Sequence, residues 1–239
     1  MKRSIKQLVG LAFLGIVTAF ACTAAHAQSE PLKIGIIGTG RIGGALARHW
    51  VDAGHEVFMS SRNPEELMDL AAELGPRAQA GTPREAAAFG DVVLVSVPYA
   101  AMPQIGSDYA EELRGKIVLD TSNPVENRDG PMAVEAKQKG SGIASAEFLP
   151  GTRLVRAFNC IPAASLANQA DRAPERIAIP LAGDDAEALA MAQRLVDDAG
   201  FDSVVIGGLA DARVFDLGEP LAQGNWTVGQ FREALAARR

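Results

Sequence analysis

The sequence predicts an α/β fold: a doubly wound, mostly parallel sheet with helices on both faces and a small C-terminal extension. Three observations carry that prediction. Short apolar runs bounded by turn residues recur along the chain, at residues 34–37, 91–97, 116–120 and 176–181. Between them lie stretches with helical apolar spacing, such as Leu67, Leu70 and Leu74 on one face. The first run also feeds a glycine turn, Gly38-Thr39-Gly40-Arg41-Ile42-Gly43, that opens a helix. Buried strands alternating with helices at this spacing are what crossover connections in a parallel sheet require.

Taken in order, residues 34–37 form a buried strand, and a helix continues through Ala45, Leu46, Ala47 and Trp50. Gly54-His55 turns the chain into a second strand at 56–60. Asn63-Pro64 starts the next helix, because proline at the first helical position gives up an N–H that would be unpaired anyway. Gly75-Pro76 stops it. A short third strand spans 77–80. Thr82-Pro83-Arg84-Glu85 predicts a capping box, in which each side chain satisfies a free backbone N–H, opening a helix to Phe89. The fourth strand, 91–97, ends at Pro98, and a helix to Leu113 and a fifth strand at 116–120 follow. Further strands are predicted at 153–158, 176–181 and 202–206. Helices run from Ile161-Pro162 to Asn168 and from Ala186 to Ala199, the second capped by Asp184-Asp185. From Gly207 the chain is expected to be loop-like until a terminal helix at 227–237. The folded domain is therefore placed at 32–206, with 207–239 as the extension.

Residues 1–27 stand apart from this fold. Lys2, Arg3 and Lys6 form a basic start, residues 8–21 are apolar, and Ala25-His26-Ala27 is a small-residue cleavage site. That is the pattern of a secretory signal peptide cut before Gln28, which implies a periplasmic or secreted product. The apolar run is short for a membrane-spanning helix, and Phe20, two residues before Cys22, suits a lipoprotein signal poorly.

The 239-residue chain holds 29 acidic and 23 basic residues, a formal net charge of −6. Losing Lys2, Arg3 and Lys6 with the signal takes the mature chain to −9. Such a surface repels phosphate backbones, so nucleic acid is excluded as a partner. No later segment could span a membrane. Cys160 is the one cysteine left after cleavage, so no intrachain disulfide can form, and no Cys/His cluster has metal-ligand spacing.

The glycine turn points to a dinucleotide and a Rossmann-type unit. Its first glycine permits the tight turn, the second admits a pyrophosphate, and the third lets helix and strand pack closely. The helix N-terminus adds free N–H groups and a positive dipole end. At the end of the second strand, where a carboxylate would suit the ribose of NAD, stand Ser61 and Arg62. A hydroxyl beside a guanidinium suits a 2′-phosphate, so NADP(H) is expected.

These features resemble the NADPH-dependent oxidoreductases of the deazaflavin coenzyme F420, and less closely the cytosolic domain of the six-transmembrane metalloreductases. The likeness rests on Ile36-Ile37-Gly38-Thr39-Gly40-Arg41-Ile42-Gly43, Gly54-His55-Glu56-Val57, Ser61-Arg62 and Val95-Ser96-Val97-Pro98. Arg156-Ala157-Phe158-Asn159-Cys160-Ile161-Pro162-Ala163 and Ile179-Pro180-Leu181-Ala182-Gly183-Asp184-Asp185 extend it. The resemblance implies that Thr39 to Ile42 hold the pyrophosphate within the cofactor-binding turn Gly38 to Gly43, and that Ser61 with Arg62 hold the 2′-phosphate. It implies that Val97, Pro98 and Ala101 line the path to the nicotinamide, with Asn123 and Ala157 near that ring. Asn159, Cys160, Ile161 and Pro162 would face an acceptor ring, a flavin or the deazaflavin. Two features depart from the family: the export signal and the tail at 209–239.

No catalytic side chain is expected, since hydride transfer between two stacked rings is cofactor chemistry. His49 and His55, the histidines of the mature chain, are expected to be structural. Cys160 is either a redox thiol or a buried small hydrophobe. Two other classes stay open: a reductase of an imine or carbonyl, and a non-catalytic NADP-binding protein. The expected partner is a small-molecule acceptor, and a homodimer is one option.

Overall fold

The apolar runs assemble into one eight-stranded sheet in a computed structural model that describes residues 30–222 and 224–238. The expected signal segment, 1–27, lies outside the described residues. The first half runs β1 (Lys33–Ile37), α1 (Arg41–Asp52), β2 (Glu56–Ser60), a 3-10 turn and α2 (Met68–Leu74), β3 (Ala78–Gly81) and α3 (Pro83–Phe89). It continues with β4 (Val92–Val95), α4 (Met102–Asp108), α5 (Ala110–Leu113) and β5 (Ile117–Asp120). Then come α6 (Glu126–Asp129), α7 (Pro131–Lys139), α8 (Ser141–Phe148), β6 (Arg153–Arg156) and α9 (Ala163–Asn168). The chain closes with β7 (Ala178–Gly183), α10 (Ala186–Asp198), β8 (Asp202–Gly207), a 3-10 segment Leu209–Phe215 and α11 (Val228–Ala236).

Strand order is β3-β2-β1-β4-β5-β6-β7-β8. From β3 to β6 all pairings are parallel, whereas β7 runs antiparallel to β6 and β8 follows β7 in parallel. The order reverses between β1 and β4, so the crevice where an open sheet binds ligands lies at their C-terminal ends. Neighbouring residues of one strand enter different cores, as strand alternation demands. Ile36, Leu94, Leu119 and Val155 join Leu46, Trp50 and Leu195 in one cluster. Ile37, Val93, Val95, Val118 and Leu154 join Tyr99, Leu113 and Leu149 in the other.

Several local expectations need correction. Three helices, α6 to α8, fill the stretch 121–152 that carried no predicted element. Asp185 alone caps α10, accepting from the Ala188 N–H at 2.8 Å, while Asp184 accepts from the Leu209 N–H at 2.9 Å. The stretch after Gly207 is not wholly loop, and Pro31–Arg239 forms one compact unit that includes the tail. β6 stops at Arg156 because Phe158 adopts φ +58°, which strand geometry does not allow. The capping box at Thr82 and Glu85 forms as predicted. Among the described residues no helix is long and apolar enough to cross a membrane.

His55 ties the start of β1 to α10. The Leu32 N–H donates to its Nδ1 at 3.2 Å, so the ring proton sits on Nε2, 2.9 Å from Asp198 Oδ2. Burial is the largest influence and holds the His55 pKa below its usual 6.5, against the opposing pull of Asp198. The unfolded chain therefore binds this proton more readily than the folded one. Its contribution is full above the unfolded pKa and is lost as pH falls through that value toward the lower folded one. Thermal melts should show stability dropping as pH falls through about 6.5 and below in the native chain, and much less in His55→Gln. Equal slopes in the two proteins would contradict this.

Candidate functional site

The turn after β1 is built by backbone contact. Gly38 has φ +95°, and a Cβ there would sit 2.3 Å from the Ser96 carbonyl oxygen, so glycine alone fits. Thr39 clamps the turn to the end of β2: its N–H donates to the Ser60 carbonyl at 3.0 Å, and its Oγ1 accepts the Ser60 N–H at 3.1 Å. A Cβ on Gly43 would lie 2.3 Å from the Gly38 carbonyl oxygen, which lets α1 begin against its own turn. Gly40 differs from both. It is exposed, and a Cβ there would meet nothing within 4 Å.

The open space at Gly40 lies at the N-terminus of α1, where no side chain caps the helix and no acidic residue occupies the first turn. Unmet N–H groups and the positive end of the helix dipole therefore face it. That cradle fits a dinucleotide pyrophosphate. Arg41 is exposed and Ile42 half-buried on the same turn.

On the β2 side, Ser61 Oγ accepts from the Asn63 N–H at 3.0 Å. Arg62 is exposed and has no hydrogen bond or ion pair among the described residues. Its five donors are thus available to an anion. On the β4 side, Val97 packs over the turn, its Cγ1 within 2.8 Å of where a Gly38 Cβ would be. Pro98 is exposed and Ala101 half-buried beyond it. Ala100 N–H donates to Asp129 Oδ1 at 3.2 Å, fixing this loop to α6.

At the ends of β5 and β6 two asparagines meet. Asn123 Nδ2 donates to the Asn159 carbonyl at 2.6 Å, and Asn159 Nδ2 reaches Asn123 Oδ1 at 3.4 Å and the Phe215 carbonyl at 3.3 Å. Beneath them Asp120 and Arg156, register partners on adjacent strands, form an ion pair and are fully buried. Sequence reasoning missed this pair and the tail's share in the site. The available signal was a charged residue at the last position of two strands, each directly after a run of apolar residues.

The segment expected to face an acceptor is turned inward. Ala157 is 0% exposed and belongs to the main core cluster, so its side chain does not lie beside a bound ring. Asn159, Cys160 and Ile161 are 6%, 4% and 5% exposed, and only Pro162 of this set is open. The positive φ at Phe158 rolls the chain so that these side chains point into the protein. Cys160 packs against Ala182, Ala212 and Phe215, and burial pushes its thiol up to about 12. It stays protonated at neutral pH, which favours the buried-hydrophobe role over the redox one. His49 bonds the Leu166 carbonyl at 2.8 Å, and His55 is occupied as described above.

Among proteins of known family, the model described as NADP oxidoreductase, coenzyme F420-dependent, matches residues 33–124. The F420-dependent NADP reductase of Methanothermobacter thermautotrophicus is 31% identical over 204 residues, spanning 80% of this chain and 87% of that protein. This chain belongs to that family. Members of the F420-dependent NADP oxidoreductase family share a Rossmann-type fold, and this one is an NADP(H)-dependent oxidoreductase. A hypothetical protein from Sinorhizobium meliloti superimposes with a TM-score of 0.69 at 29% identity, covering 84% of this chain and 97% of that one. The metalloreductase STEAP3 of Rattus norvegicus is also similar, at 31% identity over 79% of this chain but 36% of its own length.

Proposed function

We propose that this oxidoreductase passes a hydride between NADP(H) and a deazaflavin of the F420 class. The observation that carries the reading is the open, uncapped cradle at Gly40, flanked by the unengaged Arg62. The turn from Gly38 to Gly43 holds the pyrophosphate: Gly38 and Thr39 shape it through their bonds to the Ser60 carbonyl, and the backbone N–H groups of Gly40, Arg41, Ile42 and Gly43 face the ligand. Ser61 and Arg62 hold the 2′-phosphate. With the adenine end on the β2 side, the nicotinamide end extends the other way, past Val97, Pro98 and Ala101 toward Asn123. Pro162 flanks the acceptor, while Ala157, Asn159, Cys160 and Ile161 shape the floor from beneath.

When bound, NADPH supplies the hydride from its nicotinamide ring and the deazaflavin receives it. The chain's own work is to bind, align the two planes and keep water out, which is worth several kcal/mol of barrier without any acid or base. Among the described residues no histidine near the crevice is free to move a proton, since His49 bonds the Leu166 carbonyl and His55 bonds Leu32 and Asp198. The support for F420 over other acceptors is family membership.

The test is NADPH oxidation by the purified mature chain with an F420-class deazaflavin, FMN, or an imine. The deazaflavin should support turnover. Turnover with the imine alone would assign a small-molecule reductase, and tight NADP binding without turnover a binding protein. We further propose export: the basic start, apolar run and Ala25-His26-Ala27 site support a periplasmic protein beginning at Gln28. N-terminal sequencing of cell fractions checks this, and Met1 retained on cytoplasmic protein would overturn it.

A further inference from the structure

We propose that the buried Asp120–Arg156 pair is a positioning device for the nicotinamide end of the cofactor site, acting through Asn123 and Asn159. The proposal rests on the reading that NADP(H) lies along the C-terminal strand ends. Asp120 and Arg156 face each other at the last register step of β5 and β6. Three residues beyond the end of each strand stand Asn123 and Asn159, joined by the two bonds at 2.6 and 3.4 Å. Two neighbouring loops are thus tied twice, by an ion pair at their base and an amide pair at their tips.

Other bonds make the pair a hub. Asp120 Oδ1 accepts the Ser122 N–H at 2.7 Å, which fixes the turn leading to Asn123. Its carbonyl accepts the Ala157 N–H at 3.1 Å, which fixes the turn leading to Asn159. From the far side the tail steadies Asn159 through the Phe215 carbonyl, and Asp216 holds the start of α8 by accepting the Ser141 N–H at 2.9 Å.

Stability does not explain such a pair. A fully buried ion pair commonly gains nothing over apolar residues of the same volume, because desolvation offsets attraction. Arg156 is also only partly used: its Nε and Nη2 have no protein partner, and neither has Asn159 Oδ1, although all three atoms are buried. What the pair does provide is a fixed distance and angle between the two loops that meet at the nicotinamide end. Without it the amide pair would have to hold that geometry alone, at a distance of 3.4 Å for one of its two bonds.

The experiment compares two ligands. 2′,5′-ADP reports the adenine end alone, and NADPH reports both ends, with nicotinamide fluorescence as a second readout. Asp120→Leu/Arg156→Met removes both charges together, so the fold should survive. Arg156→Lys keeps the charge without the planar fork and decides the matter if the double variant does not fold. Each variant should bind 2′,5′-ADP like the native chain while NADPH loses about tenfold or more of its extra affinity. Its fluorescence should move toward that of the free dinucleotide. An NADPH-to-2′,5′-ADP affinity ratio within about twofold of native, in every variant that folds, would overturn the inference. A native chain that binds NADPH no better than 2′,5′-ADP would instead overturn the placement of the nicotinamide, and this inference with it.

Discussion

Gly40→Val should abolish NADP(H) binding while leaving the fold as stable as the native chain. The expectation follows from the contrast between three glycines in one turn. At Gly38 and Gly43 an added Cβ would collide with backbone at 2.3 Å, so substitution there strains the protein itself. At Gly40 it would meet no protein atom within 4 Å, and the backbone is at φ −85°, which any L-residue adopts. A valine side chain would therefore project into the open space before α1, where the pyrophosphate is placed. Loss of affinity should reach about 100-fold or more, equivalent to about 3 kcal/mol. Calorimetric titration with NADP, paired with thermal melts, separates the outcomes. Unchanged binding in a folded Gly40→Val protein would move the cofactor elsewhere.

Arg62→Ala should weaken NADPH by about 10- to 100-fold and leave NADH almost unaffected. Arg62 is exposed and makes no hydrogen bond or ion pair among the described residues that its removal would break, so the fold should keep its stability. A charge-assisted hydrogen bond to phosphate is worth about 1.5–3 kcal/mol, and only NADPH carries the 2′-phosphate. Parallel titrations with the two nucleotides read the difference directly. Equal losses for both would refute the role given to Arg62, and no loss for either would remove it from the site.

Much of the first half was legible because its determinants are local. The strand–glycine–helix unit at 33–52 and the Thr82–Glu85 box each depend on a few adjacent residues, and the structure places them as expected, while the helix expected from Pro64 opens as a 3-10 turn and becomes α-helical at Met68. The second half depends on contacts that sequence spacing does not record. Helices α6 to α8 are short and interrupted at Gly130 and Gly140, so no apolar period is long enough to announce them. The reversal at β7 shows only in its antiparallel pairing with β6, which the composition of the strand does not record.

The candidate site divides along the same line. In the stretch expected to hold the cofactor, the tight turn at Gly38 and the helix start after Gly40 were legible because backbone conformation dictates residue type there. The stretch expected to face the acceptor was not, because Phe158 takes a positive φ without being glycine and the Cys160 and Ile161 that follow it are buried, while Ala157 shares the core face of Val155. The Asp120–Arg156 pair needed the β5–β6 register before it could be seen. The tail looked like an appendage, yet Phe215 and Asp216 reach back to Asn159 and Ser141.

The central claim is direct hydride transfer between nicotinamide and deazaflavin, and an isotope label tests it most directly. The deazaflavin carries carbon where a flavin carries nitrogen at the accepting position, so a transferred deuterium stays in place instead of exchanging with water. Single-turnover reaction of the mature chain with NADPH deuterated at C4, followed by mass spectrometry of the reduced deazaflavin, should find the label on that carbon and a slowed transfer step. Label recovered only in solvent, or no consumption of NADPH when the deazaflavin is the sole acceptor, would contradict it.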